Sequence, residues 1–148
     1  MLDKAEESLA HYYPLLLCAP RTGLREGELI GLKGIDLDFT NRLIDVQRNI
    51  SRGKVKLPKN GKTRKVDMSK LVATVLSDLL SRKRAAVLRK EMEEPAGERR
   101  DAPAVVNGVM EDWLFNTPTD ARMEPSNLCK VFSKLLTDAK LRRVASTI

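Results

Sequence analysis

Histidine, aromatic side chains and cysteine are all scarce in this sequence, and each shortage removes a class of chemistry. Among 148 residues there is one histidine, His11. A single imidazole with no cluster of thiols or carboxylates around it does not make a zinc site. It also leaves a serine or cysteine nucleophile without its usual general base. The two cysteines, Cys18 and Cys129, stand far apart within apolar helical patterns and read as reduced core residues. Aromatic residues make up 4% of the chain, too few for the ring platforms on which single-stranded nucleic acid stacks. Long apolar runs are missing as well: the longest, Pro14 to Pro20, is broken by prolines and falls short of a membrane span. The start, Met1-Leu2-Asp3-Lys4-Ala5-Glu6-Glu7, is acidic and has no signal-peptide apolar stretch. These features lead us to expect a cytoplasmic protein with no membrane partner.

What is present describes an ordinary globular domain, 42% hydrophobic and 32% charged, long enough to bury a core of its own. The net charge of +7 and the sequence pI of 9.6 point to a polyanionic partner. The distribution of charge sharpens this. Arg48, Arg52, Lys54, Lys56, Lys59, Lys62, Arg64 and Lys65 fall between Arg48 and Val66 with no acidic and no aromatic residue among them. Such a stretch suits contact with the phosphates of a duplex backbone.

Periodicity divides the chain. Ala5 to Ala19 carries apolar residues at helical spacing and is expected to end at Pro20. Arg21 to Leu24 reads as a tight turn, with Thr22 placed to cap a short helix through Arg25 to Ile30 and Gly31 or Gly34 near its end. Arg42 to Gln47 alternates as a half-buried strand, Ser51-Arg52-Gly53 is a turn, and Lys54 to Leu57 alternates again. Asn60-Gly61 is a hairpin signal, followed by a strand over Thr63 to Met68. Ser69 is positioned to cap a long helix whose stripe is Leu71, Val72, Val75, Leu76, Leu79 and Leu80, with a polar continuation through Arg82-Lys83-Arg84. Glu93 to Asn107 reads as a loop or insertion and Trp113-Leu114-Phe115 as a short buried stretch. Pro125-Ser126-Asn127 opens a final helix with Leu128, Val131, Leu135 and Ala139 inward, Phe132 and Leu136 beside them. The expected class is α+β, mainly helical, with a small three-stranded antiparallel sheet.

Two motifs carry chemistry. In Thr22-Gly23-Leu24-Arg25-Glu26-Gly27-Glu28-Leu29 a tight turn sets an arginine at the start of a helix, where backbone N–H groups favour a phosphate. The guanidinium adds two parallel hydrogen bonds to phosphate oxygens. Glu28, one turn on, is placed to hold Arg25; the same pair also fits a routine surface ion pair. In Pro58-Lys59-Asn60-Gly61-Lys62-Thr63-Arg64 a lysine sits beside a turn, on an arm that can reach a substrate and either donate a proton or neutralise charge.

Together these motifs resemble the tyrosine recombinase family, which includes phage integrases and Xer-type recombinases. The order of Gly31-Leu32, Ile35-Asp36-Leu37 and the first strand between them extends the likeness, as do Trp113-Leu114-Phe115 and Pro125 to Leu141, so it spans nearly the whole chain. The resemblance implies that Arg25 binds the scissile phosphate and Lys59 acts as general acid toward the leaving 5′-oxygen, with Lys62 the competitor for that role. Glu28 becomes a supporting residue, and Arg52, Lys54, Lys62 and Arg64 become contacts to double-stranded DNA. No cofactor and no metal are implied, because arginines supply the positive charge at the phosphate.

The family also uses a His-x-x-Arg box and a nucleophilic tyrosine. The final Leu141 to Ile148 stands where that box is expected to begin, and Tyr12 and Tyr13 precede the first motif and read as packing residues. Residues 1–148 are therefore expected to be a partial catalytic domain, without the His-x-x-Arg box, the nucleophile or the family's N-terminal core-binding domain. Alone it is expected to be inactive, binding duplex weakly. The parent is expected to recombine DNA as a tetramer in the bacterial cytoplasm, at the nucleoid. A truncated relative that binds without cutting, and a basic domain with no nucleic-acid role, are the competing readings.

Overall fold

A computed structural model describes residues 10–58, 61–93, 105–106, 109–110, 112–117 and 121–140. The first helix, α1 (Tyr13–Thr22), follows a 3-10 turn over Ala10–Tyr12. Its consecutive residues Leu15, Leu16, Leu17 and Cys18 are each at most 1% exposed. A helix buried all round has neighbours on every side. Leu15, Leu17 and Cys18 belong to the main core, while Leu16 packs with Val131 and Leu135 in a smaller cluster that Tyr12 and Phe132 join to the first. Both tyrosines are thus packing residues, as expected; Tyr13 lies against the main core.

Contrary to the sequence reading, Pro20 lies inside α1 and does not end it. A proline removes one backbone donor, here within the last turn, and the helix runs two residues further. Gly23 terminates it at φ 65°, its N–H donating to the Ala19 carbonyl. An L-residue rarely adopts that conformation, and glycine does so without strain. Thr22 is the last residue of α1, so it does not cap the next helix; its hydroxyl donates to the Cys18 carbonyl at 2.8 Å. Helix α2 (Glu26–Ile30) has Arg25 at its N-cap position, where the Arg25 N–H donates to the Glu28 carboxylate.

After a 3-10 turn over Gly34–Asp36, three strands form one antiparallel sheet in the order β1 (Leu37–Asp38), β2 (Leu43–Val46), β5 (Arg64–Asp67). The three-stranded sheet is as expected, but its membership differs. Strand β4 (Lys54–Lys56) pairs with β3 (Asn49–Ser51) in a separate hairpin, and β5 skips both to pair with β2, Ile44 opposite Val66. The reason is burial. Ile44 and Val46 on β2 are fully buried, whereas every residue of β4 is exposed despite its alternating sequence. The two-residue turn at Arg52-Gly53 holds β4 against β3, Ser51 opposite Lys54.

Helix α3 (Lys70–Glu93) opens with the Val72 N–H on the Ser69 hydroxyl, as its sequence predicts. Val72, Leu76 and Leu80 enter the core, Val75 and Leu79 flank it, and Leu71 is exposed. Within the stretch read as a loop, Val105–Val106 forms strand β6, paired with β7 (Val109–Met110); residues 94–104 and 107 lie outside the described residues. Leu114 and Phe115 are buried, with the Leu114 N–H on the Leu32 carbonyl. Helix α4 (Pro125–Asp138) buries Leu128, Val131 and Leu135; Ala139 is its cap residue. Of the cysteines, Cys18 is buried and Cys129 is exposed, which corrects the reading of both as core residues. Cys129 falls on the outer side of the α4 stripe, one residue past Leu128. Burial pushes the Cys18 thiol up to about 11, which leaves it a thiol at neutral pH.

Candidate nucleic-acid interface

Glu28 is the junction of the site. It is a carboxylate 2% exposed, and one oxygen, Oε2, accepts from the Arg25 backbone N–H at 2.9 Å and from Arg64 Nη2 at 2.8 Å. A buried carboxylate is costly unless hydrogen-bonded and paired, and this one is both. Two motifs 36 residues apart thereby meet on one atom. The Arg25 side chain is exposed, and its guanidinium makes no ion pair with Glu28: the carboxylate holds the backbone of Arg25 and the guanidinium of Arg64. Helical spacing suggested the nearer arginine. In the fold, the Glu28 side chain turns back to the N-cap and toward β5.

Glycine lets the same helix lie close against β3. A Cβ built on Gly27 would lie 2.4 Å from the Ile50 carbonyl and 2.0 Å from Asn49 Oδ1. Helix α2 is thus pressed directly onto β3. One turn later Gly31 faces Arg48, whose Nη1 donates to the Gly31 carbonyl at 3.3 Å and to Asp36 Oδ2 at 2.6 Å. The same Asp36 oxygen accepts from the Lys33 N–H at 2.7 Å. Burial raises the Asp36 carboxyl, against the lowering effect of the Lys33 N–H and of Arg48.

Among the described residues the basic stretch therefore divides into buried-carboxylate partners and exposed charge. Arg48 and Arg64 are ion-paired to Asp36 and Glu28. Arg52, Lys54, Lys56, Lys62 and Lys65 are exposed. Arg52 and Gly53 form the hairpin tip with φ of 51° and 71°, as a two-residue type I′ turn requires. Arginine tolerates that region poorly, so the tip carries a strained, exposed cation. Lys59 and Asn60 lie outside the described residues; the Gly61 N–H donates to the Pro58 carbonyl at 2.7 Å on either side of them. Lys62 follows, exposed, two residues before β5.

One residue of this face escaped sequence reasoning. Arg122 lies next to α4 in sequence, yet its Nη2 donates to the Gly53 carbonyl at the hairpin tip at 2.9 Å and to Glu124 Oε1 at 2.7 Å. Its guanidinium carbon stands 5.8 Å from the Trp113 ring centre, and Lys33 Nζ approaches that ring to 4.9 Å. Glu124 two residues away is the only local signal, and it says nothing of a partner 69 residues distant.

The chain thus combines a helical core and a small antiparallel sheet with an arginine motif tied through Glu28 to Arg64 on β5. The model of the Phage integrase family matches residues 1–147, and the chain belongs to that family. A tyrosine recombinase XerC-like protein of Caldanaerobacter subterraneus subsp. tengcongensis is 30% identical over 128 residues, which are 84% of this chain and 33% of the relative. Among solved structures, the Tn1549 transposon integrase in complex with transposon right end DNA superimposes with a TM-score of 0.70 at 22% identity, over 99% of this chain and 45% of that one. XerA recombinase gives 0.64 at 20% identity, over 96% and 40%. The chain thus spans less than half the length of each of these relatives. The fold expected from the sequence, helices with a small antiparallel sheet, is the one these structures share.

Proposed function

We propose that this chain is the first part of a tyrosine recombinase catalytic domain, which binds duplex DNA and helps to break and rejoin it by site-specific recombination. The observation that carries the reading is the Glu28 carboxylate, which joins Arg25 to the strand that follows the lysine-bearing segment. That arrangement fixes the Arg25 main chain and leaves its side chain exposed, free to offer a fork of donors to a DNA phosphate. The Tn1549 integrase was solved with DNA, in keeping with this.

In the complete enzyme, a tyrosine oxygen supplied from outside these residues attacks the scissile phosphorus. The bond from phosphorus to the 5′-oxygen breaks, and a 3′-phosphotyrosyl link forms. Arg25 binds the non-bridging oxygens as negative charge develops on them. Lys59 gives its proton to the departing 5′-oxygen, and Lys62 is the alternative donor. Glu28 positions the first motif. Arg52, Lys54 and Lys62 bind backbone phosphates, and Arg64, its side chain still 47% exposed beside Glu28, borders the same face. The parent works as a tetramer on DNA in the cytoplasm.

Two measurements test this reading. The chain itself should bind duplex of any sequence with a dissociation constant of about 10⁻⁴–10⁻⁶ M at physiological salt, weakening as salt rises with a log–log slope of roughly −0.9 per phosphate engaged. Affinity that survives high salt would refute an interface built on phosphates. In the full-length recombinase, Lys59→Ala should slow cleavage of ordinary duplex, and a better leaving group at the 5′ position should restore the rate. If that substrate gives no rescue, Lys59 is not the acid, and rescue of Lys62→Ala instead would transfer the role.

A further inference from the structure

The hairpin β3–β4 presents Arg52 and Lys54 to solvent, yet it is a poor platform by itself. It is a two-stranded ribbon with its own sheet, apart from β1-β2-β5, and isolated ribbons of that size are marginal in water. Its base is held where Asn49 and Ile50 meet Gly27. Its tip, with Arg52 at φ 51°, is held elsewhere, by a side chain from the far end of the chain.

That side chain is Arg122. Both Nε and Nη2 contact Glu124 Oε1, at 3.2 and 2.7 Å, and Nη2 also donates to the Gly53 carbonyl at 2.9 Å. The guanidinium lies near the Trp113 ring, 5.8 Å from its centre, in the range of cation–π attraction. Trp113 is in turn bridged to Lys33, and its carbonyl accepts from Lys83 of α3. The ring therefore rests on the body of the domain. The Arg122 side chain is 27% exposed, and its Nε and Nη2 are engaged by the hairpin and by Glu124.

We propose that Arg122 is a positioning residue: it clamps the tip of the β3–β4 hairpin to the segment before α4 and so preorganises Arg52 and Lys54 for duplex phosphates. This rests on the duplex-binding reading above. Ordering a flexible, cation-bearing tip at the moment of binding costs affinity, and a clamp made beforehand removes part of that cost. Arg122 then acts through the hairpin without touching DNA.

The test is a double-mutant cycle on this chain, read by fluorescence anisotropy with a short labelled duplex at low salt. Arg122→Met keeps an unbranched stem against Trp113 and removes the donors. It should weaken binding by roughly 3–10-fold, the cost of immobilising one or two long side chains, without changing the log–log salt slope. In a background carrying Arg52→Ala and Lys54→Ala, the same substitution should have less than about a twofold effect, because coupled groups are non-additive. Unchanged affinity in the first background would overturn the clamp. So would an equal loss in both backgrounds, or a slope shallower by about 0.9, which would mark a direct phosphate contact. Glu124→Gln serves if Arg122→Met does not fold. Deleting a carboxylate tightens DNA binding by charge alone, so weaker binding supports the clamp and tighter binding refutes it. If the unmodified chain bound no duplex at all, the duplex-binding reading itself would fall, a result distinct from each of these.

Discussion

Arg25→Ala in the full-length recombinase is expected to cut covalent tyrosyl–DNA formation by at least about 10²–10³-fold, the usual cost of deleting one preorganised donor to a developing oxyanion. Arg25 is exposed, and among the described residues its guanidinium has no carboxylate partner. An arginine in that state has its full set of planar donors available for a phosphate. Its backbone, by contrast, is held by Glu28 at 2.9 Å. A fixed main chain with a free head positions a group for binding without saturating it first. Arg25→Lys should also fall well short of the natural rate, because an ammonium cannot present two parallel donors. The measurement is accumulation of covalent complex on a suicide substrate. Near-normal accumulation by Arg25→Ala would remove the central assignment. Duplex affinity of the same variant should drop far less, since only one of several phosphate contacts is lost.

The second large effect is on stability. Gly27→Ala should lower the unfolding free energy by about 1–3 kcal/mol, the range for overpacking a close contact. On an open helix face the same change would stabilise by up to about 1 kcal/mol. The sign is decided by what the new methyl would meet. Asn49 Oδ1, at 2.0 Å, can swing aside, but the Ile50 carbonyl at 2.4 Å is backbone, so β3 must move to make room. Ile50 is 2% exposed, and its displacement also disturbs the core. Chemical denaturation of the chain and its Gly27→Ala variant reads this directly. A variant as stable as the parent would mean that α2 and β3 are not in contact at Gly27. The substitution also displaces the base of the hairpin that carries Arg52 and Lys54, so weaker duplex binding should accompany the lost stability.

The sequence alone was sufficient wherever neighbours along the chain set the outcome. The Ser69 cap, the stripe of Val72, Leu76 and Leu80, the inward face of α4 and the alternation at Ile44 and Val46 are local periodicities. A helix or strand repeats its environment every few residues, so the pattern of burial is written in the order of side chains. The turn at Arg52-Gly53 and the clustering of positive charge are local in the same sense. The two motifs that resemble the recombinases, Thr22 to Leu29 and Pro58 to Arg64, are also read from local order. Tertiary structure decided the rest. Chain order made Lys54 to Leu57 the neighbour of the strand that follows it, whereas the burial of Ile44 and Val46 gave that place to β2, and β4 pairs only with β3. Helix α1 runs past Pro20 to a left-handed glycine, in a segment whose buried residues pack on both sides. Glu28 passes over the Arg25 guanidinium one turn away for Arg64, and Arg122 reaches Gly53, because a buried carboxylate or a guanidinium satisfies its donors and acceptors with whatever the fold brings near. Distance along the chain carries no information about those partners, and only packing does.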